Sequence, residues 1–241
     1  MQLTEIDILS GIFSLLTIVI FTTIGLIIVS KYFKYKRIDL FLFGITIIGL
    51  AEPLYGSIIS VLLVFYTGRA LSIELYLFIA LVGNPIVLVC FVGAITQLLY
   101  REKQKIILSI AIIYAVVFEI YLIYFLINDP SLVGEMIGIT DAEYRGFARI
   151  YMITALLTLV IGGTIFSRES LKSDKPEIRL KGKFLLPGFY IFAFSAIIDS
   201  AIPLNAITLP IVRSLQIFSA ILFYFGLILP YSVKKFFLKE E

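Results

Sequence analysis

The chain contains no histidine, no tryptophan and a single cysteine. Without histidine there is no imidazole to ligate haem or zinc and no histidine proton relay, which removes the histidine–metal chemistry of some membrane hydrolases. The lone thiol, Cys90, sits within an apolar run, so no intrachain disulfide can form and thiol usage does not reveal the redox compartment. With tryptophan missing, any aromatic belt falls to the 14 Tyr and 21 Phe. Charge is scarce as well: 15% of residues are charged and 60% are apolar, against roughly 25% and 45–50% in a soluble domain. The sequence also has no phosphate-binding loop, metal-ligand cluster or nucleophile triad, so no enzymatic activity and no cofactor are expected.

The apolar residues fall into runs almost free of charge, each long enough to cross roughly 30 Å of hydrocarbon at about 1.5 Å per residue. One soluble core cannot hold so many apolar helices. The expected fold class is therefore all-α: one multi-pass cell-membrane domain of seven transmembrane helices, at about 7–30, 38–66, 73–99, 105–127, 147–167, 183–203 and 207–230. The first run follows Glu5 rather than a basic region, so it reads as a retained helix and not a cleaved signal. Two connections are long: an acidic one over 128–147, and a basic one over 167–183 in which Pro176 reads as a helix stop.

Basic residues set the orientation. With the N-terminus outside and the C-terminus cytoplasmic, the cytoplasmic segments collect Lys31, Lys34, Lys36, Arg37, Arg101, Lys103, Lys105, Arg168, Lys172, Lys175, Arg179, Lys181, Lys183, Lys234, Lys235 and Lys239. Those are sixteen of the twenty Lys and Arg, the bias expected of cytoplasmic loops. The net charge of +3 has the same origin, and no nucleic-acid partner is expected. The stretch from Arg168 to Lys183 could meet anionic lipid or a cytoplasmic signalling partner.

A charge at bilayer depth costs about 2.5–3.5 kcal/mol on insertion scales and normally faces the bundle interior with a partner. Glu52, Glu119, Asp199 and Arg213 are such residues, and all four fall in the outer half when depth is counted along the helices. They could share a polar cavity open to the outside. The short turn at Leu204-Asn205-Ala206 makes the sixth and seventh segments antiparallel neighbours, so Asp199 and Arg213 are expected to pair, with Gln216 one turn below. Pro53 beside Glu52, with Tyr55 just beyond, and the dipeptide Asn84-Pro85 are expected to break their helices and free backbone groups. Tyr114, Tyr121, Tyr124, Tyr151 and Tyr190 read as packing or interface residues. Gly83, Gly93, Gly162 and Gly163 read as sites of close helix contact. A decapeptide in the first segment, LLTIVIFTTI at 15–24, matches LLTLVIGGTI at 156–165 at seven of ten positions. That match suggests an internal repeat, with Glu52 and Asp199 in broadly similar places.

Two resemblances rest on particular residues. The turn Pro203-Leu204-Asn205 followed by Thr208-Leu209, together with an outside N-terminus, is similar to microbial opsins. Opsins hold retinal on a lysine in the seventh helix, where this chain has Ser219, so the resemblance implies the topology without the chromophore. The string PEIRLKGKFLL at 176–186, and the region up to Asp199, resembles uncharacterised seven-helix proteins of archaea, which brings no known activity. The function expected is receptor-like or sensor-like, with a small extracellular ligand and membrane lipids as surroundings. A small cation- or proton-coupled transporter and a structural or lipid-interacting protein are the alternatives.

Overall fold

A computed structural model describes residues 3–238; Lys239, counted above, lies outside the described residues. Among the described residues, the regular structure is helical apart from one hairpin. Its elements are α1 (Glu5–Tyr35), α2 (Ile38–Gly49), α3 (Pro53–Thr67), α4 (Ile73–Leu81), α5 (Asn84–Leu99) and α6 (Gln104–Asn128), then the strands β1 (Gly134–Ile137) and β2 (Asp141–Tyr144). After the hairpin come α7 (Gly146–Leu171), α8 (Pro176–Ala201), α9 (Thr208–Ile228) and the short α10 (Tyr231–Phe237).

Among the described residues, six helical segments are long and apolar enough to cross a membrane, with α4 and α5 together forming one of them. The bent pair α2 and α3, which meet at 44°, makes a seventh if it counts as one span. Their outward faces are apolar: α6 alone exposes Ile106, Ile110, Ile113, Ile120 and Ile127. An apolar surface this extensive suits lipid and not water.

The breaks lie where proline was expected to place them. α2 ends at Gly49 and α3 restarts with Pro53 at its first turn. α4 ends at Leu81 and α5 restarts with Asn84-Pro85. In contrast, Pro187 leaves α8 unbroken. Pro176 does not stop a helix: it stands in the first turn of α8, where its missing N–H is no loss and its fixed φ suits helix entry. The basic connection therefore shrinks to 172–175. The acidic connection over 128–147 is not irregular either, since it forms a 3₁₀ turn at Pro130–Leu132 and the antiparallel β1–β2 hairpin. The two candidate repeat halves differ accordingly, with a broken helix beside Glu52 and a continuous one beside Asp199.

α1 packs on α2, α3 and α9; α9 on α8; α8 on α7; and α5 on α2, α6 and α7, which closes a ring. The approach of α1 to α2 requires glycine on both sides. A Cβ at Gly25 would lie 2.7 Å from the Gly44 carbonyl oxygen, and one at Gly44 would lie 2.8 Å from that of Gly25.

The bundle interior is held by a chain of phenylalanines. Phe21 meets Phe192 at 6.1 Å, Phe192 meets Phe223 at 6.4 Å and Phe223 meets Phe189 at 4.9 Å. Phe189 meets Phe91 at 6.0 Å, and Phe91 meets Phe43 at 6.4 Å. These rings come from α1, α2, α5, α8 and α9 and all are buried. Each such pair contributes about 0.5–1.5 kcal/mol beyond its area.

Candidate functional site

Two polar groups lie toward the hairpin end of the bundle. The first is built on the helix breaks. Because α5 restarts at Asn84, its first amides lack partners within the helix. Glu52, itself at the α2–α3 break, supplies acceptors: one carboxyl oxygen takes the Gly83 amide and the other takes Asn84 Nδ2 at 3.1 Å. Asn84 Nδ2 also reaches the Ala80 carbonyl at 3.0 Å. A carboxyl group here also meets the positive end of the α5 dipole. Glu52 is 7% exposed, so the two breaks are joined by one buried side chain.

The second group is the ion pair of α8 and α9. Arg213 Nη1 donates to Asp199 at 2.6 Å and to Gln216 Oε1 at 3.0 Å, and Gln216 Nε2 donates to Asp199 at 3.4 Å. The turn before α9 is fixed by Asn205, whose side-chain oxygen accepts from the amides of Ile207 and Thr208 at 2.9 Å each. Arg213 Nε is buried with no partner among the described residues. The guanidinium thus keeps a donor unused, which costs about 1–3 kcal/mol unless an acceptor reaches it.

The hairpin closes over this region. Its three-residue loop carries Gly138 at φ 75°, a left-handed conformation that glycine adopts without penalty. The loop buries Ile139. The Thr140 carbonyl accepts from Ser57 Oγ at 2.5 Å and from Tyr76 Oη at 2.8 Å, and those two hydroxyls are 3.1 Å apart. At its base, Tyr121 Oη donates to the Leu132 carbonyl at 2.8 Å, and Glu135 pairs with Arg145. Asp141 is exposed at the start of β2, yet the neighbouring protein and then Asp199 push its carboxyl above the usual range. The Ala142 amide and Arg213 pull it back down. Burial, and then Tyr76, Asp141, Glu52 and Asp199, likewise raise the Tyr144 phenol well above its ordinary value.

A pH dependence follows from Asp141. Its proton is held more tightly in the folded hairpin than in the free chain. The seated hairpin is therefore favoured below the ordinary aspartate range and loses that contribution as pH rises through the raised value. Protection of the 134–144 amides, with the intrinsic pH dependence of exchange divided out, should fall across that interval in the native protein and stay flat in Asp141→Asn. Parallel curves for the two would refute the assignment.

Of the residues singled out in the sequence, Glu52 and Asn84 form one group, and Asp199, Arg213 and Gln216 form the other. Glu119 joins neither by a hydrogen bond: it is half-buried on α6, within electrostatic range of Glu52. Tyr55 packs against the apolar core. Ser219, at the opsin lysine position, is fully buried and donates to the Gln216 carbonyl at 2.6 Å. Tyr151 stacks with Tyr114 and Phe118 at the α6–α7 seam, where Phe147 meets Tyr114 edge-on, and Tyr190 reaches Thr164 at 3.3 Å. Gly83 makes room for a carboxyl group and not for a helix, whereas Gly162 and Gly163 accommodate the rings of Phe91 and Phe189. Gly93 is not tightly approached, since the nearest atom to an added Cβ would be 3.4 Å away. The two cavities described lie away from both polar groups, one at the α5–α7 flank and one beside α10. Sequence reasoning missed Ser57, Tyr76, Thr140 and Asp141. No cluster of His, Cys, Asp or Glu among the described residues could hold a metal ion.

The chain matches no family model, no curated protein and no solved structure.

Proposed function

We propose that this integral membrane protein is receptor-like or sensor-like, with seven spans, the hairpin end outside and the basic end in the cytoplasm. The observation that carries the reading is the hairpin itself. Ile139 of its loop is buried, its Thr140 carbonyl is gripped by Ser57 on α3 and Tyr76 on α4, and Asp141 lies within electrostatic range of the Asp199–Arg213 pair. A ligand that competes for these donors, or for the unused Nε of Arg213, would change the hairpin's seating and with it the packing of α3, α4, α8 and α9. The ligand expected is small, polar and extracellular. A cytoplasmic signalling partner would read the opposite, basic end between Arg168 and Lys183. The phenylalanine chain favours reception over transport, because packed rings from five helices fill the bundle interior beside the polar groups.

The test uses a Cys90→Ser background with single cysteines at Thr140, Glu135 and Lys175. In intact cells an impermeant maleimide should reach Glu135→Cys and not Lys175→Cys. It should label Thr140→Cys about tenfold more slowly than Glu135→Cys, a ratio that Tyr76→Phe abolishes. A panel of amino acids, organic acids and sugars is then screened for a change in the Thr140→Cys rate. A responding compound that is not accumulated by proteoliposomes supports reception, and accumulation would establish transport instead. Equal rates at Thr140→Cys and Glu135→Cys would remove the closed hairpin on which the reading stands.

A further inference from the structure

The geometry points to a binding site for the phosphate headgroup of an anionic phospholipid at the basic end, between α8 and α10. It depends on no part of the receptor reading. A cavity of about 490 Å³ opens there, lined by Arg179, Lys183, Leu180, Phe184 and Phe237, with Pro176 and Leu238 at its edges.

Spacing places the lining on one face of α8. Positions 176, 179, 180, 183 and 184 recur at helical intervals, so both cations project from the same side as the Phe184 ring. The opposite wall is α10, docked on α8 through Phe237 and Lys234. Phe237 meets Phe184 edge-on at 5.5 Å, and Lys234 pairs with Glu177 at 2.7 Å. Phe225 of α9 backs Phe184 at 5.4 Å. These contacts separate the charges by role. Glu177, the acidic residue of this turn, is taken by Lys234, and no acidic side chain among the described residues lines the cavity. The side chains of Arg179 and Lys183 make no ion pair or hydrogen bond among the described residues.

Two cations beside two aromatic rings, at the end of an apolar span, match the chemistry of a phospholipid. The headgroup phosphate accepts from the guanidinium and the ammonium, and the first acyl carbons lie along Phe184 and Phe237. The cavity volume is in the range of a small-ligand site of about 300–1,000 Å³. A free inorganic anion would use the cations and leave the rings idle, and a zwitterionic lipid would bring its own cation against Arg179.

The experiment is native mass spectrometry of the full chain in detergent, titrated with short-chain phosphatidylglycerol. The lipid should bind with defined stoichiometry and short-chain phosphatidylcholine should not. Arg179→Gln with Lys183→Gln should weaken phosphatidylglycerol about tenfold or more, since each basic residue contributes separately. Lys172→Gln with Lys175→Gln, which removes as much charge from the neighbouring connection, should change affinity less than about twofold if contact governs rather than net charge. Phe237→Ala should weaken the lipid while leaving both cations in place. Equal loss in the two charge pairs would overturn the site in favour of diffuse attraction, and equal binding of phosphatidylcholine would overturn the headgroup assignment. Full competition by inorganic phosphate would make it an anion site and not a lipid site. A tenfold gain on Glu240→Gln with Glu241→Gln would make the chain's own C-terminal carboxylates the resident occupant, which also overturns the proposal.

Discussion

Asp199→Asn should lower stability in detergent by about 3–5 kcal/mol, because it leaves Arg213 buried without its carboxylate. The Arg213 side chain is 6% exposed and that of Asp199 is 24% exposed. The two single mutants should therefore differ. Arg213→Gln leaves an acid that still has some access to water and a donor in Gln216 Nε2 at 3.4 Å, so its cost falls toward the lower end. Part of that cost comes from Asp141, which raises the price of an unneutralised Asp199. The double mutant removes both charges and should recover much of the loss, with a coupling of roughly 0.5–3 kcal/mol. Thermal or denaturant unfolding of the four proteins measures it, and strictly additive losses would mean that the 2.6 Å contact carries no interaction. The cycle also separates roles. If the double mutant is stable but the labelling rate at Thr140→Cys no longer responds to ligand, the pair belongs to the site. If it is stable and responsive, the pair is a clasp between α8 and α9.

This pair was legible in the sequence for a geometric reason. A turn of a few residues leaves two helices no choice but to run antiparallel side by side, so an acid shortly before it and a base shortly after it fall at one level. The breaks at Pro53 and Pro85 were legible because proline removes a specific N–H. What each break exposes, and who satisfies it, was not: no spacing rule relates Glu52 to the amide of Gly83 on another span. Glu119 shows the limit from the other side. Counting residues gives depth along a helix and says nothing about which way a side chain faces, and α6 is apolar on every side, so its periodicity marks no inner face.

The hairpin left a fainter signal. Two short runs, 134–137 and 141–144, flank a three-residue loop that begins with Gly138, a recognised hairpin pattern. The acids Glu135, Asp141 and Glu143 hid it by reading as a solvated loop. Ser57 and Tyr76 carried no signal at all, because each is an ordinary residue of an apolar helix until a backbone carbonyl arrives beside it.

Gly83 gives the second large effect, and its outcome depends on Glu52. Its φ is −91°, so alanine fits the backbone and any cost must come from space. An added Cβ would lie 2.8 Å from both carboxyl oxygens of Glu52 and 2.9 Å from the carboxyl carbon. The carboxyl group must then move, and it cannot do so without releasing the Gly83 amide and Asn84 Nδ2. Gly83→Ala should therefore cost about 1–3 kcal/mol, the range for crowding a packed interior or stranding a buried donor. Glu52→Ala should cost a similar amount, because the Gly83 amide at the start of α5 loses its acceptor in a half-buried break. The two losses have the same origin. Once the carboxyl group is gone, the space beside Gly83 is free, so the double mutant should be little worse than Glu52→Ala alone. Gly93→Ala provides the control: its nearest neighbour would be 3.4 Å away, and its effect should stay within about 0.5 kcal/mol. Unfolding of these variants in one detergent decides the matter. Additive costs at positions 52 and 83 would show that Glu52 does not close the α4–α5 break.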